Sequence, residues 1–155
     1  MAEREIPDIE EVARSWDTGD PERLVGRGHP IGDCLDAHAW RVLERAPGRL
    51  RVRAGLSDMV RNPRGELFGG FTPTFVDFFA LHVYHAARVE GEPRRWLATA
   101  NLRVDYFRPI HGPEFDMEGC VLHKSGRTGH VEVRFFDLEE RLCALGQATL
   151  VEHRA

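Results

Sequence analysis

The stretch Asn62-Pro63-Arg64-Gly65-Glu66-Leu67-Phe68-Gly69-Gly70-Phe71-Thr72-Pro73-Thr74-Phe75-Val76-Asp77 joins a glycine-punctuated loop to the most apolar helical segment of the chain. Asn-Pro and the glycines mark the loop. Thr72-Pro73 predicts the helix start, with threonine at the N-cap and proline at the first helical position, where its missing N–H costs nothing. From Phe71 to Arg88 the apolar residues Phe75, Val76, Phe78, Phe79, Leu81, Val83 and Tyr84 cover nearly every side. Such a helix is buried on more than one face. One carboxylate, Asp77, falls among them. Desolvation disfavours its charged form and makes it a better base, so Asp77 is expected to be buried and either paired or functional.

A helix buried all round must be wrapped, and the flanking sequence supplies a sheet. Upstream, Ala39 to Glu44 and the alternating Arg49-Leu50-Arg51-Val52-Arg53-Ala54 flank the turn Ala46-Pro47-Gly48 and predict a β-hairpin. The helix ends near Gly91-Glu92-Pro93. Beyond it, Trp96, Ala98, Ala100, Leu102, Val104 and Tyr106 alternate with Thr99, Asn101, Arg103 and Asp105 in a long strand stopped by Pro109. Phe115 to Val121, Val131 to Phe135 and Leu142 to Val151 complete four antiparallel strands on short connections. At the other end, Ile6, Ile9, Val12, Ala13 and Trp16 recur at helical spacing before Asp17-Thr18-Gly19-Asp20-Pro21 breaks the pattern. Residues 1–30 are therefore expected to form a helical arm, and 31–155 a single domain.

Composition narrows the function. With 42% hydrophobic and 30% charged residues the chain falls among ordinary globular proteins, and no apolar run approaches the roughly 20 residues needed to span a bilayer. No signal-type segment follows Met1, and Cys34, Cys120 and Cys143 lack any Cys-x-x-Cys pattern, which together point to a cytoplasmic protein with reduced thiols. A net charge of −4 argues against nucleic acid as a partner. His82 and His85 lie three apart on the helix without a third ligand at suitable spacing, so no metal is expected. The absence of a Gly-x-Ser-x-Gly elbow argues against a serine nucleophile.

Asn62-Pro63 followed by Gly65, then Gly69-Gly70 with an acid seven residues past the second glycine, resembles the acyl-CoA thioesterases of the phenylacetate-pathway type, which adopt the hotdog fold. Tyr106-Phe107-Arg108-Pro109, Gly126-Arg127 and Leu145-Gly146-Gln147-Ala148-Thr149 fit the same family, over about residues 31–152. The resemblance implies an α+β fold in which a curved antiparallel sheet of about six strands wraps one long central helix. It implies cofactor-independent hydrolysis of an acyl-CoA thioester, with Asp77 as general base on water or as nucleophile. Gly69 would polarise the carbonyl through its N–H, with Gly70 beside it in the substrate loop. Thr99 would bring a water-positioning hydroxyl from the neighbouring subunit, and Asn62 would lie near the acyl group. Arg127 would meet the anionic end of coenzyme A, because an acidic protein must place cations locally to hold phosphates. A homodimer or homotetramer with sites at the subunit interface is also implied. Phe68 departs from the family's usual His-Gly-Gly, and an apolar ring cannot make that histidine's polar contacts. The alternative it opens is a non-catalytic protein binding acyl or aromatic ligands against Phe68, Phe71 and Phe75.

Overall fold

A computed structural model describes residues 5–153. Residues 1–4 of the expected arm and 154–155 of the expected domain lie outside the described residues. In chain order the elements are α1 (Ile9–Ser15), α2 (Pro30–Cys34), β1 (Arg41–Ala46), β2 (Arg49–Gly55), α3 (Phe71–Ala86), β3 (Leu97–Tyr106), β4 (Glu114–Ser125), β5 (Thr128–Phe136) and β6 (Leu142–Glu152). The six strands form one antiparallel sheet in the order β1-β2-β4-β5-β6-β3. Both halves of the sequence thus build one surface, and β3 is left at an edge. The alternation in β2 holds: Leu50, Val52 and Ala54 are fully buried, while Arg51 and Arg53 reach the outer face and clamp Asp116 of β4 at 3.0 and 2.7 Å. Burial alone would push that carboxyl up, but the hydrogen bonds from Arg53 and Arg51 outweigh it and hold Asp116 below the usual range.

The sheet curves round α3, which touches every strand from β2 to β6; this is the hotdog fold. Glycines in three neighbouring strands make the approach possible. A Cβ at Gly119 would overlap Val83 and Phe79, one at Gly146 would overlap Val76, and one at Gly129 would overlap Tyr84. Gly119 and Gly146 are both paired with Val133, so the notch runs straight across the sheet. Trp40, fully buried, stacks on Phe75 at 5.6 Å and meets Phe78 and Phe79 edge-on.

Several features differ from the sequence reading, among them the end of α3, which stops at Ala86, short of Gly91-Glu92-Pro93. The first strand begins at Arg41, because Ala37–Ala39 form a 3-10 turn that drops Trp40 into the core. The Pro30–Cys34 helix was not expected; His29 caps it by accepting from the Ile31 and Gly32 N–H groups through Nδ1. Most relevant to the site, α3 begins at Phe71 with Gly70 as N-cap, so Thr72 and Pro73 are its second and third residues. Every N–H of a first helical turn lacks an intrahelical acceptor, so proline is tolerated at the third position too.

The arm helix α1 lies across the opposite flank of α3 from the sheet. Glu10 accepts from the Arg94 N–H (2.8 Å) and pairs with Arg88 and Arg94, and Trp96 Nε1 donates to the Pro7 carbonyl at 3.0 Å. No residue of α1 is buried, and between it and α3 lies a cavity of about 560 Å³.

Candidate active site

The loop before α3 is fastened along its length. Arg61 donates to the carbonyls of Gly65 (2.9 Å) and Leu56 (2.8 Å), Leu67 N–H bonds Ile110, and Phe68 N–H bonds Val60. Asn62 spends its side chain here: its Oδ1 accepts from the Arg64 and Glu66 N–H groups, and its amide donates to the buried Glu66 carboxylate. Its role in this chain is to set the turn that delivers Gly69 and Gly70.

Among the described residues no acceptor takes the Gly69 or Gly70 N–H. Both amides therefore face the space at the N-terminus of a helix of 16 residues, where free donors and the helix dipole favour negative charge. Tyr106, at the end of β3, donates its hydroxyl to the Gly69 carbonyl (2.5 Å) and fixes the orientation of that peptide. Phe68 is 51% exposed and edge-to-face with Phe71 at 6.3 Å; its ring would crowd any side chain at position 70. With Tyr106 and Phe107, both more than half exposed, it makes an apolar rim beside the glycines.

Asp77 lies seven residues into α3, about 10 Å along the axis from Gly70. It is half-buried, a correction to the expected burial: its side of the helix faces the edge strand, where no further strand covers it. Its partner is Thr99, whose hydroxyl donates to Asp77 Oδ1 at 2.5 Å. Simple alternation places Thr99 with Asn101 and Arg103 on the outward face. A register shift between Thr99 and Asn101 inserts Ala100 as a bulge, and the strand before it turns over, bringing Thr99 and Leu97 toward α3. Thr99 thus meets the aspartate of its own chain, whereas the resemblance implied a hydroxyl serving the neighbouring subunit.

Arg127 sits exposed in the β4–β5 turn and donates to the Glu152 carbonyl at 3.2 Å; it makes no contact with Asp77 or the glycine loop. Two cavities, of about 330 and about 560 Å³, are lined by other residues than Asp77 and Gly69. Glu66 and Tyr106 are the supporting residues that spacing alone did not reveal as such.

The profile of the thioesterase superfamily matches residues 64–144, which spans the glycine loop, α3 and the strands through the start of β6. The chain belongs to the thioesterase superfamily. Solved structures share the fold. AziG of S. sahachiroi superposes with a TM-score of 0.70 at 20% identity, covering 83% of this chain and 100% of that one. A mutant of the phenylacetic acid degradation protein PaaI from Thermus thermophilus gives 0.63 at 25% identity, over 81% and 100%. A Streptococcus mutans protein bound to acetyl CoA gives 0.65 at 16% identity, over 74% and 88%. Comparison with curated protein sequences gives no match. Within the superfamily profile fall Gly69, Asp77, Thr99 and Tyr106; Asn62 and the arm lie outside it.

Proposed function

We propose that this thioesterase-superfamily chain hydrolyses an acyl-CoA thioester to free acid and thiol, with Asp77 as general base. The observation that carries the reading is the Thr99–Asp77 hydrogen bond on the same helix that opens with two free glycine amides. The Thr99 hydroxyl fixes one carboxylate oxygen and leaves the other for a water. That water attacks the carbonyl carbon while its proton passes to Asp77. The oxyanion is stabilised by the Gly69 N–H, with Gly70 beside it; collapse breaks the C–S bond, and the departing thiolate takes the proton from Asp77. The roughly 10 Å between helix start and aspartate is a span for a carbonyl and a water, which favours a base over direct nucleophilic attack. Asn62 serves by holding the loop.

Because β3 exposes an unpaired edge next to Thr99, a second copy pairing along that edge would cover the Asp77 site. A homo-oligomer is therefore part of the proposal, and a monomer by light scattering would count against it. The central test is thiol release from acyl-CoA esters by wild type and Asp77→Asn. The expected loss is ~10²-fold or more in kcat with an unchanged melting temperature. Full turnover by Asp77→Asn would sink the mechanism.

The exposed Phe68 rim favours one other reading, an acyl- or aryl-binding protein without turnover. Saturable acyl-CoA binding with no thiol release at any chain length would select it.

A further inference from the structure

The arm helix turns its apolar side, Ile9, Val12, Ala13 and Trp16, toward a cavity, with Trp16 also tilted against His29. All four are only half-buried because they line the cavity of about 560 Å³. A cavity of this size walled on one side by an apolar helix face has room for a ligand. The facing wall comes from α3 and the start of β3: Phe78, Leu81, His82, His85, Trp96 and Leu97.

The cavity is placed with respect to Asp77 by two short steps. Leu81 is one helical turn beyond Asp77 on the same side of α3, and Leu97 is two residues before Thr99 on the same side of β3. Both lead away from the glycine loop. A thioester carbonyl held between Gly69 and Asp77 would therefore point its acyl group toward this space and its coenzyme toward the opposite end.

The chemistry of the wall says what kind of group fits. Trp16, His29, Phe78 and His82 form a run of ring contacts, at 4.7, 5.1 and 4.9 Å between successive centroids. Burial, reinforced by neighbouring positive charge, lowers the His82 imidazole to about 3 and that of His85 to about 4, so both are neutral near pH 7. Arg94 is already held by Glu10. The wall thus combines apolar surface and neutral imidazoles, with Arg14, Arg23 and Arg45 also among its lining residues.

We propose that the cavity beneath the N-terminal arm is the acyl chamber, taking an apolar acyl group larger than acetyl, and that the arm sets the size limit. This rests on the thioesterase reading for its kinetic arm but not for its binding arm. Ala13→Phe and, separately, Val12→Phe fill the chamber from the arm while keeping the full chain. Octanoyl-CoA and acetyl-CoA turnover are compared, and binding of the non-hydrolysable thioether S-octyl-CoA is followed by the emission of Trp16 and Trp96, which both line the cavity. In both variants the octanoyl-to-acetyl ratio of kcat/KM is expected to fall about tenfold or more, the scale of a few misplaced methylenes. The thioether-induced emission change should be lost in parallel. An unchanged ratio and an unchanged emission response in both folded variants would overturn the chamber and leave the thioesterase reading intact. Thioether binding that both variants abolish, with no turnover of any ester by wild type, would retain the chamber and overturn the catalytic reading.

Discussion

The two flanks of α3 are packed by different rules. Toward the sheet, Val76, Phe79 and Val83 approach so closely that Gly119 and Gly146 have no room for a Cβ. Toward the arm, Leu81, His82 and His85 face a cavity of about 560 Å³ roofed by half-buried residues. One helix therefore carries a face that specifies the fold and a face that leaves room for something else. Asp77 lies on the border between them, half-buried, bonded to Thr99 of the bulged edge strand. The contrast explains why an acid can sit in so apolar a helix: its neighbours on the sheet side secure the fold without help from it.

This contrast can be broken by measurement. Truncating the sheet face, Phe79→Ala, is expected to cost ~3–5 kcal/mol of unfolding free energy, while Leu81→Ala, already bordering a void, should cost well under half as much. Equal costs in urea titrations would show that the two faces are packed alike. Gly119→Ala tests the closeness directly. The added methyl must displace Phe79 or Val83, and a loss of ~1–3 kcal/mol is expected. A neutral or stabilising Gly119→Ala would mean the helix can lift away from the sheet.

The arm face should show itself in pH dependence. Burial holds the His82 pKa at about 3 against an ordinary value of 6.5, and neighbouring charges add to the effect. Between those values the unfolded chain binds the proton that the folded chain refuses. Stability contributed by neutral His82 is therefore complete above about 6.5 and is lost as pH falls toward about 3. Urea midpoints measured across that window should fall less steeply in His82→Gln than in wild type; parallel curves would place the histidine in water. The smallest effect belongs to the loop. Tyr106→Phe removes one hydrogen bond to the Gly69 carbonyl, worth ~1 kcal/mol, and should lower kcat several-fold with little change in melting temperature. A full-rate Tyr106→Phe would show that Gly69 is held without it.

Much of the architecture was legible in the sequence because its period-2 and helical patterns are long. The hairpin, the central helix and the four later strands are all recovered within a few residues. Local signals failed where two placements satisfy the same chemistry. Thr72-Pro73 fits the first turn of a helix at either register, so the start fell to Gly70 and Phe71. Alternation could not reveal the bulge at Ala100, a pairing event between β3 and β6 that alone turns Thr99 inward. Asp77 was expected to be buried because its sequence neighbours are apolar, but its exposure depends on β3 being an edge, a property of strand order. Glu66 and Tyr106 carry no local mark of their support for the glycine loop, since each partner lies across a turn or on another element. The cavity beneath the arm was invisible for the same reason.

The glycine notch also constrains how this chain can diverge. Residues 83 and 119, and likewise 76 and 146, share a volume in which only one member of each pair can be large. A side chain gained at 119 or 146 is accommodated at least cost where its partner on α3 is shortened, so Gly119→Ala with Val83→Ala should lose less stability than the sum of the two single changes.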